Sequence, residues 1–199
     1  MIFVAIEGPD GAGKSTLVER LTTRWNAAAF REPSRGAFGR VARSLLMEGK
    51  NEAALGFFCA DRVENAKDIT SFLKAGEVVI SDRYYLSTMV YQLLPGASSD
   101  EWKAAIPTFL ALTQPPLQPH ATIILLPSWE VTRNRSCRDK QDDPALKKWV
   151  WERYKILSEL PAYYAIDNSN QGIHRTMDQV IQYLLERFPH MHIRDVLSH

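Results

Sequence analysis

The chain has 199 residues, 45% hydrophobic and 24% charged, which suits one hydrophobic core and excludes a fibrous, low-complexity or disordered protein. Its 24 basic and 23 acidic residues leave a net charge of +1, so no global field draws nucleic acid or anionic membrane, and any anion site must be built locally. Two cysteines, Cys59 and Cys137, without Cys-x-x-Cys spacing suggest neither a disulfide framework nor a structural zinc site.

The first residues, Met1 to Ile6, lack a basic flank and are too short for a signal peptide or a membrane span, so a cytoplasmic protein is expected. Short apolar runs then alternate with helical patterns. Strands are expected at 2–7, 27–31, 77–82, 122–126 and 163–167, the first, third and fourth apolar on both faces as buried parallel strands are. Helices are expected at 14–25, where Leu17, Val18 and Leu21 share one side, and at 61–74, where Val63, Ala66, Ile69 and Leu73 do. The segment 100–119 reads as a helix that Pro107 interrupts, then an extended loop. Leu146, Val150, Tyr154 and Leu157 form one later stripe; Met177, Val180, Ile181, Leu184, Leu185 and Phe188 form another, ending near Pro189. The expectation is a single α/β domain over 1–199: a five-stranded parallel sheet with helices on both faces.

Between the first strand and first helix stands Gly8-Pro9-Asp10-Gly11-Ala12-Gly13-Lys14-Ser15-Thr16, which fits G-x-x-x-x-G-K-[ST] in its required context. Glycines let such a loop turn its N–H groups onto phosphate, and the following helix adds its positive end. Lys14 is expected to bridge the β- and γ-phosphates of ATP, Ser15 to offer its hydroxyl to Mg2+, and Thr16 to support the α-phosphate. A chance glycine-rich turn is the competing reading, and the strand–loop–helix setting weighs against it. The run 77–82 ends in Asp82, as a magnesium-organising acid would, followed at once by Arg83. Ligands of open α/β sheets bind at the carboxyl ends of the strands, so Asp82 and Arg83 should face the loop; a structural salt bridge is the alternative.

Four motifs resemble those of the thymidylate kinase family, in the family's order and over nearly the whole chain. They are Phe3 to Thr16 with Asp10 embedded, Arg31-Glu32-Pro33, Phe57-Phe58-Cys59-Ala60-Asp61-Arg62, and Asp82-Arg83-Tyr84 with Ser87, Tyr91 and Gln92. The resemblance implies a P-loop NTPase fold with a short mobile lid at about 133–143, a homodimer, and transfer of phosphate from Mg-ATP to dTMP. It implies that Asp10 touches the sugar 3′-hydroxyl and helps order magnesium-bound water, and that Arg83 grips the acceptor phosphate. Phe58 would lie against the base, Arg62 would reach its edge, and Tyr91 would sit under the sugar with Thr88 on the same wall. For Phe58 and Tyr91, core packing is an equal alternative from sequence alone. In the lid, Arg135 and Arg138 are the candidate transition-state cations, since Gly11 stands where some relatives carry an arginine. A solvated helix face is the competing reading of that charged run.

Departures from the family pattern are Ser34-Arg35 after Arg-Glu-Pro, Pro119 before His120, and Leu126-Pro127 after the fourth strand; Asp139 and Asp142 match the acid spacing loosely and receive no role. They keep two alternatives open: a kinase of another or modified deoxynucleoside monophosphate, and an ATP-dependent switch without transfer. The expected ligands are small nucleotides.

Overall fold

The computed structural model describes residues 1–135 and 143–189. Five parallel strands, β1 (Ile2–Glu7), β2 (Ala28–Arg31), β3 (Val78–Asp82), β4 (Ala121–Leu125) and β5 (Tyr164–Ile166), form one sheet in the order β2-β3-β1-β4-β5. Every residue of β1, β3 and β4 is buried, which explains why these strands read as continuous apolar runs instead of alternating ones.

Alternate side chains of β1 divide the core. Ile2, Val4 and Ile6 pack with Leu17, Val18 and Leu21 of α1 (Lys14–Trp25) and with Met177, Val180 and Leu184 of α8 (Ile173–Arg187). Phe3 and Ala5 face the other way, onto Ile69 and Leu73 of α3 (Asn51–Lys74). On that second side Ile124 joins α4 (Tyr85–Gln92), α5 (Ser99–Thr113) and α7 (Pro144–Ser158) through Leu86, Met89, Trp102, Val150, Tyr154 and Leu157. Burying each such aliphatic side chain contributes about 1.5–3 kcal/mol, so both faces of the sheet are needed to hold it. This is the expected α/β fold of P-loop NTPases, and all five strands fall within a residue or so of their expected places.

Several helical segments differ from the expectation, a short helix at 129–134 among them. The helix expected at 61–74 begins ten residues earlier, at Asn51, and is preceded by α2 (Ala37–Met47), which the sequence reading did not contain. Gly39 obscures α2 as a pattern, yet it is what docks the helix: a Cβ there would lie 2.2 Å from the Ser34 carbonyl oxygen. Pro107 does not interrupt α5. It lies on the exposed side, where the carbonyl of Lys103, deprived of its partner, reaches water. Ser98 and Glu101 close the start of α5 as a reciprocal cap, the Ser98 N–H donating to Glu101 at 2.9 Å. Among the described residues no helix is long and apolar enough to cross a membrane.

Candidate active site

The loop 8–13 leaves β1 and enters α1 with positive φ at Gly8 (142°), Gly11 (77°) and Gly13 (94°). Gly8 is constrained by close approach as well, because a Cβ would meet the Leu125 carbonyl oxygen at 2.2 Å. α1 starts with no acid in its first turn, so the positive end of its dipole stays available to an anion. Lys14 is buried and its Nζ donates to the Pro9 carbonyl at 2.7 Å. Burial and, secondarily, the nearby Arg83 charge push its pKa down to about 7.

The register Ile6↔Asp82 places the end of β3 beside the loop, and Ser15 Oγ donates to Asp82 Oδ2 at 2.5 Å. Asp82 Oδ1 is buried with no hydrogen-bond partner among the described residues. A carboxylate oxygen left without a donor beside a loop hydroxyl fits a hard cation such as Mg2+, which keeps waters and phosphate oxygens among its ligands. Among the described residues no group of three or more His, Cys, Asp or Glu side chains forms a protein-only cage, as that mode of binding requires none.

Arg83 begins the turn into α4 in the left-handed region (φ 73°), its N–H donating to the Ile6 carbonyl at 2.9 Å. Its Nη1 donates to Ser87 Oγ at 2.9 Å and its Nη2 forms an ion pair with Asp10. The Tyr91 hydroxyl donates to the other Asp10 oxygen at 3.0 Å, and its ring centroid lies 5.5 Å from the Arg83 guanidinium carbon. Burial works against the Asp10 charge, but Arg83 and Lys14 outweigh it and hold the pKa below the usual value. Asp10, Lys14, Ser15, Asp82, Arg83 and Tyr91 are thus brought together as the sequence implied. Thr16 is exposed in the first turn of α1, beside Ser15.

A cleft runs from Pro9, Asp10 and Tyr91 to Thr132, Leu146 and Val150. Arg135, at the end of α6 (Trp129–Asn134), reaches the loop: its Nη1 donates to the Gly11 carbonyl at 3.0 Å. Arg138, Asp139 and Asp142 lie outside the described residues, as do positions 136–142 of the lid expected at about 133–143.

Arg62 and Phe58 take more structural work than the sequence implied. Arg62 is buried; its Nε and Nη2 grip Glu32 at 2.7–3.1 Å, and Nη2 also donates to Thr88 Oγ1 at 2.6 Å. Thr88 therefore stands at Arg62, while Tyr91 stands at Asp10. Phe58, 8% exposed, packs with Ala42 and Ala54 between α2 and α3.

Four residues received no role of their own from the sequence, although Glu7, Glu32 and Asp61 stand inside the motifs quoted above. Glu32 is the partner of Arg62, Asp61 accepts from Ser34 N at 2.7 Å, and Asn168 donates to the Ala12 carbonyl at 2.8 Å. Glu7 is the fourth: a wholly buried carboxylate at the end of β1, beside Ser87 and Tyr154. The signal for it was an acid closing an otherwise apolar strand.

A phosphate loop, an acid–hydroxyl pair for a cation, and an arginine facing both from the next strand define a P-loop kinase of the nucleoside monophosphate class. A thymidylate kinase family model matches residues 6–187. The chain belongs to the thymidylate kinase family. It is 34% identical over 213 aligned positions to the probable thymidylate kinase of Thermococcus onnurineus, covering 94% of this chain and 100% of that one. It is 28% identical over 193 positions to the probable thymidylate kinase of Methanocaldococcus jannaschii, covering 95% and 98%. The solved structure of thymidylate kinase from Candida albicans shares the fold, with a TM-score of 0.79 at 22% identity over 93% of this chain and 91% of that one.

Proposed function

We propose that this protein transfers the γ-phosphate of ATP, with Mg2+, to dTMP, giving dTDP and ADP, in the cytoplasm. The observation that carries the reading is Arg83: a fixed cation at the carboxyl edge of the sheet, between the phosphate loop and a cleft. Donor and acceptor are both polyanions, so their approach needs charge placed where it accumulates during transfer. The guanidinium remains charged and binds phosphate oxygens in pairs. The acceptor phosphate is already ionised, so positioning suffices and no general base is required.

Lys14 and the loop N–H groups would hold the β- and γ-phosphates, with Arg135 approaching from the lid base. Ser15 and Asp82 would hold magnesium, which when bound offsets the charge on the same two phosphates. Tyr91 and Asp10 would meet the sugar. Arg62 would turn its donors toward a base edge, and position four of thymine offers a carbonyl where cytosine offers an amino group. A donor facing a donor in a dehydrated site costs about 1–3 kcal/mol. A homodimer is part of the reading, supported by the exposed apolar residues Val41, Met47 and Val63 on α2 and α3.

The test is kcat/KM for dTMP, dUMP, dCMP and dGMP in the wild type and in Arg62→Ala. The expected result is dTMP and dUMP ahead of dCMP by at least about tenfold, with the gap narrowed in the variant. A wild-type preference for dCMP or dGMP overturns the thymidylate assignment.

A further inference from the structure

We propose that Glu7 is a positioning residue for Arg83, acting through the Ser87 hydroxyl, with Tyr154 completing the link from α7. The proposal rests on the reading of Arg83 as the acceptor-phosphate residue.

Glu7 is fully buried and accepts four hydrogen bonds: from Tyr84 N at 2.8 Å, Ser87 N at 3.2 Å, Ser87 Oγ at 2.5 Å and Tyr154 OH at 3.0 Å. The N–H groups of Tyr84 and Ser87 can only donate, so Glu7 Oε1 serves as their acceptor. Burial pushes its pKa above the usual carboxylate value, against the Ser87 hydroxyl, the Arg83 charge and the N–H groups of Tyr84 and Ser87. A buried carboxylate without such partners would be strongly disfavoured, so its place in the core calls for a reason.

That reason lies in the start of α4. Its cap position is Tyr84, whose side chain makes no capping bond, so the first N–H groups of the helix have no local acceptor. Glu7 supplies one from β1, taking the N–H groups of Tyr84 and Ser87. The turn that precedes them contains Arg83 in its left-handed conformation, closed by Ser81 Oγ on the Arg83 carbonyl at 2.6 Å. Glu7 therefore fixes where the Arg83 backbone leaves the sheet.

The side chain is held by the same carboxylate. Ser87 Oγ donates to Glu7 Oε2 and accepts from Arg83 Nη1, so the guanidinium is tied through one hydroxyl to a buried carboxyl group. Tyr154 OH lies 2.9 Å from Ser87 Oγ as well as 3.0 Å from Glu7, bringing α7 into the same cluster. Asp10 holds the other end of the guanidinium from the cleft side, where it faces incoming ligand. The Ser87 contact lies away from the cleft, whose lining includes Asp10 and Tyr91 but not Ser87. With no accessible surface, Glu7 cannot meet substrate.

The experiment is a double-mutant cycle with Ser87→Ala and Arg83→Ala, read as dTMP kcat/KM and as the Kd for ATP without acceptor. Ser87→Ala removes the hydroxyl and leaves the Glu7 bonds to the helix N–H groups. In the wild-type background it should lower acceptor kcat/KM about tenfold to hundredfold, the span of a charge-assisted hydrogen bond, with ATP Kd changed less than about twofold. In the Arg83→Ala background it should cost less than about twofold, because its target is gone. Glu7→Gln, of the same shape, should follow the same pattern. An equal loss in both backgrounds, no loss in the wild-type background, or a parallel loss of ATP binding overturns the relay alone. An Arg83→Ala protein with unchanged acceptor kcat/KM removes the acceptor role of Arg83 and the relay together.

Discussion

Lys14 is held by a carbonyl before any phosphate reaches it. With its pKa at about 7, much of the population is neutral in the ligand-free protein above that pH, whereas a polyphosphate beside Nζ favours the charged form. The folded-state pKa lies below the ordinary lysine value, so binding takes up a proton, and the uptake grows as pH rises through 7. Calorimetry of ATP binding at pH 8 in buffers of different ionisation enthalpy should report close to one proton taken up per site. An enthalpy independent of buffer contradicts this. Lys14→Ala should abolish transfer with the fold intact by circular dichroism. At this scale the residues of the phosphate loop were legible because they sit in one contiguous stretch. Glu32 and Glu7 were not, since each gains its role from partners 30 and 80 residues away, Arg62 and Ser87, and periodicity carries no trace of such pairing.

Helices α2 and α3 lie against each other where the chain leaves Arg31-Glu32-Pro33. The contact depends on Gly39 lying against the Ser34 backbone, and Ser34 is itself held by Asp61 of α3. Gly39→Ala should therefore destabilise the protein by about 1–3 kcal/mol, as overpacking does, without touching the phosphate loop. Urea unfolding measures the loss, and an unchanged midpoint refutes it. β1, β3 and β4 were legible because burial on both faces leaves uninterrupted apolar runs. α2 was hidden by the residue that docks it, and the first ten residues of α3 by a mixed surface: Ala54 and Phe58 face α2 while Glu52 faces water. Pro107 shows the limit of a breaker rule, because what proline removes matters only where water cannot replace it.

At the scale of the molecule, the core is uneven. The sheet is flanked by a large cluster running from Ile2 to Leu184, whereas α2 and the first half of α3 rest on Ala42, Ala54 and Phe58 with Leu45, Leu46 and Phe57 partly covered. Structures open in cooperative units whose free energy follows their buried contacts, so the two regions differ in how often their backbone amides meet solvent. Hydrogen–deuterium exchange should mark α2 minutes or more ahead of β1 and β4, and a bound thymidine nucleotide should slow α2 most. Equal protection of α2 and β1 rejects the unevenness. The proposed dimer would cover the outer side of these same two helices. The deuterium clock of α2 then runs slower as protein concentration rises, while that of the central strands keeps the same time at any dilution.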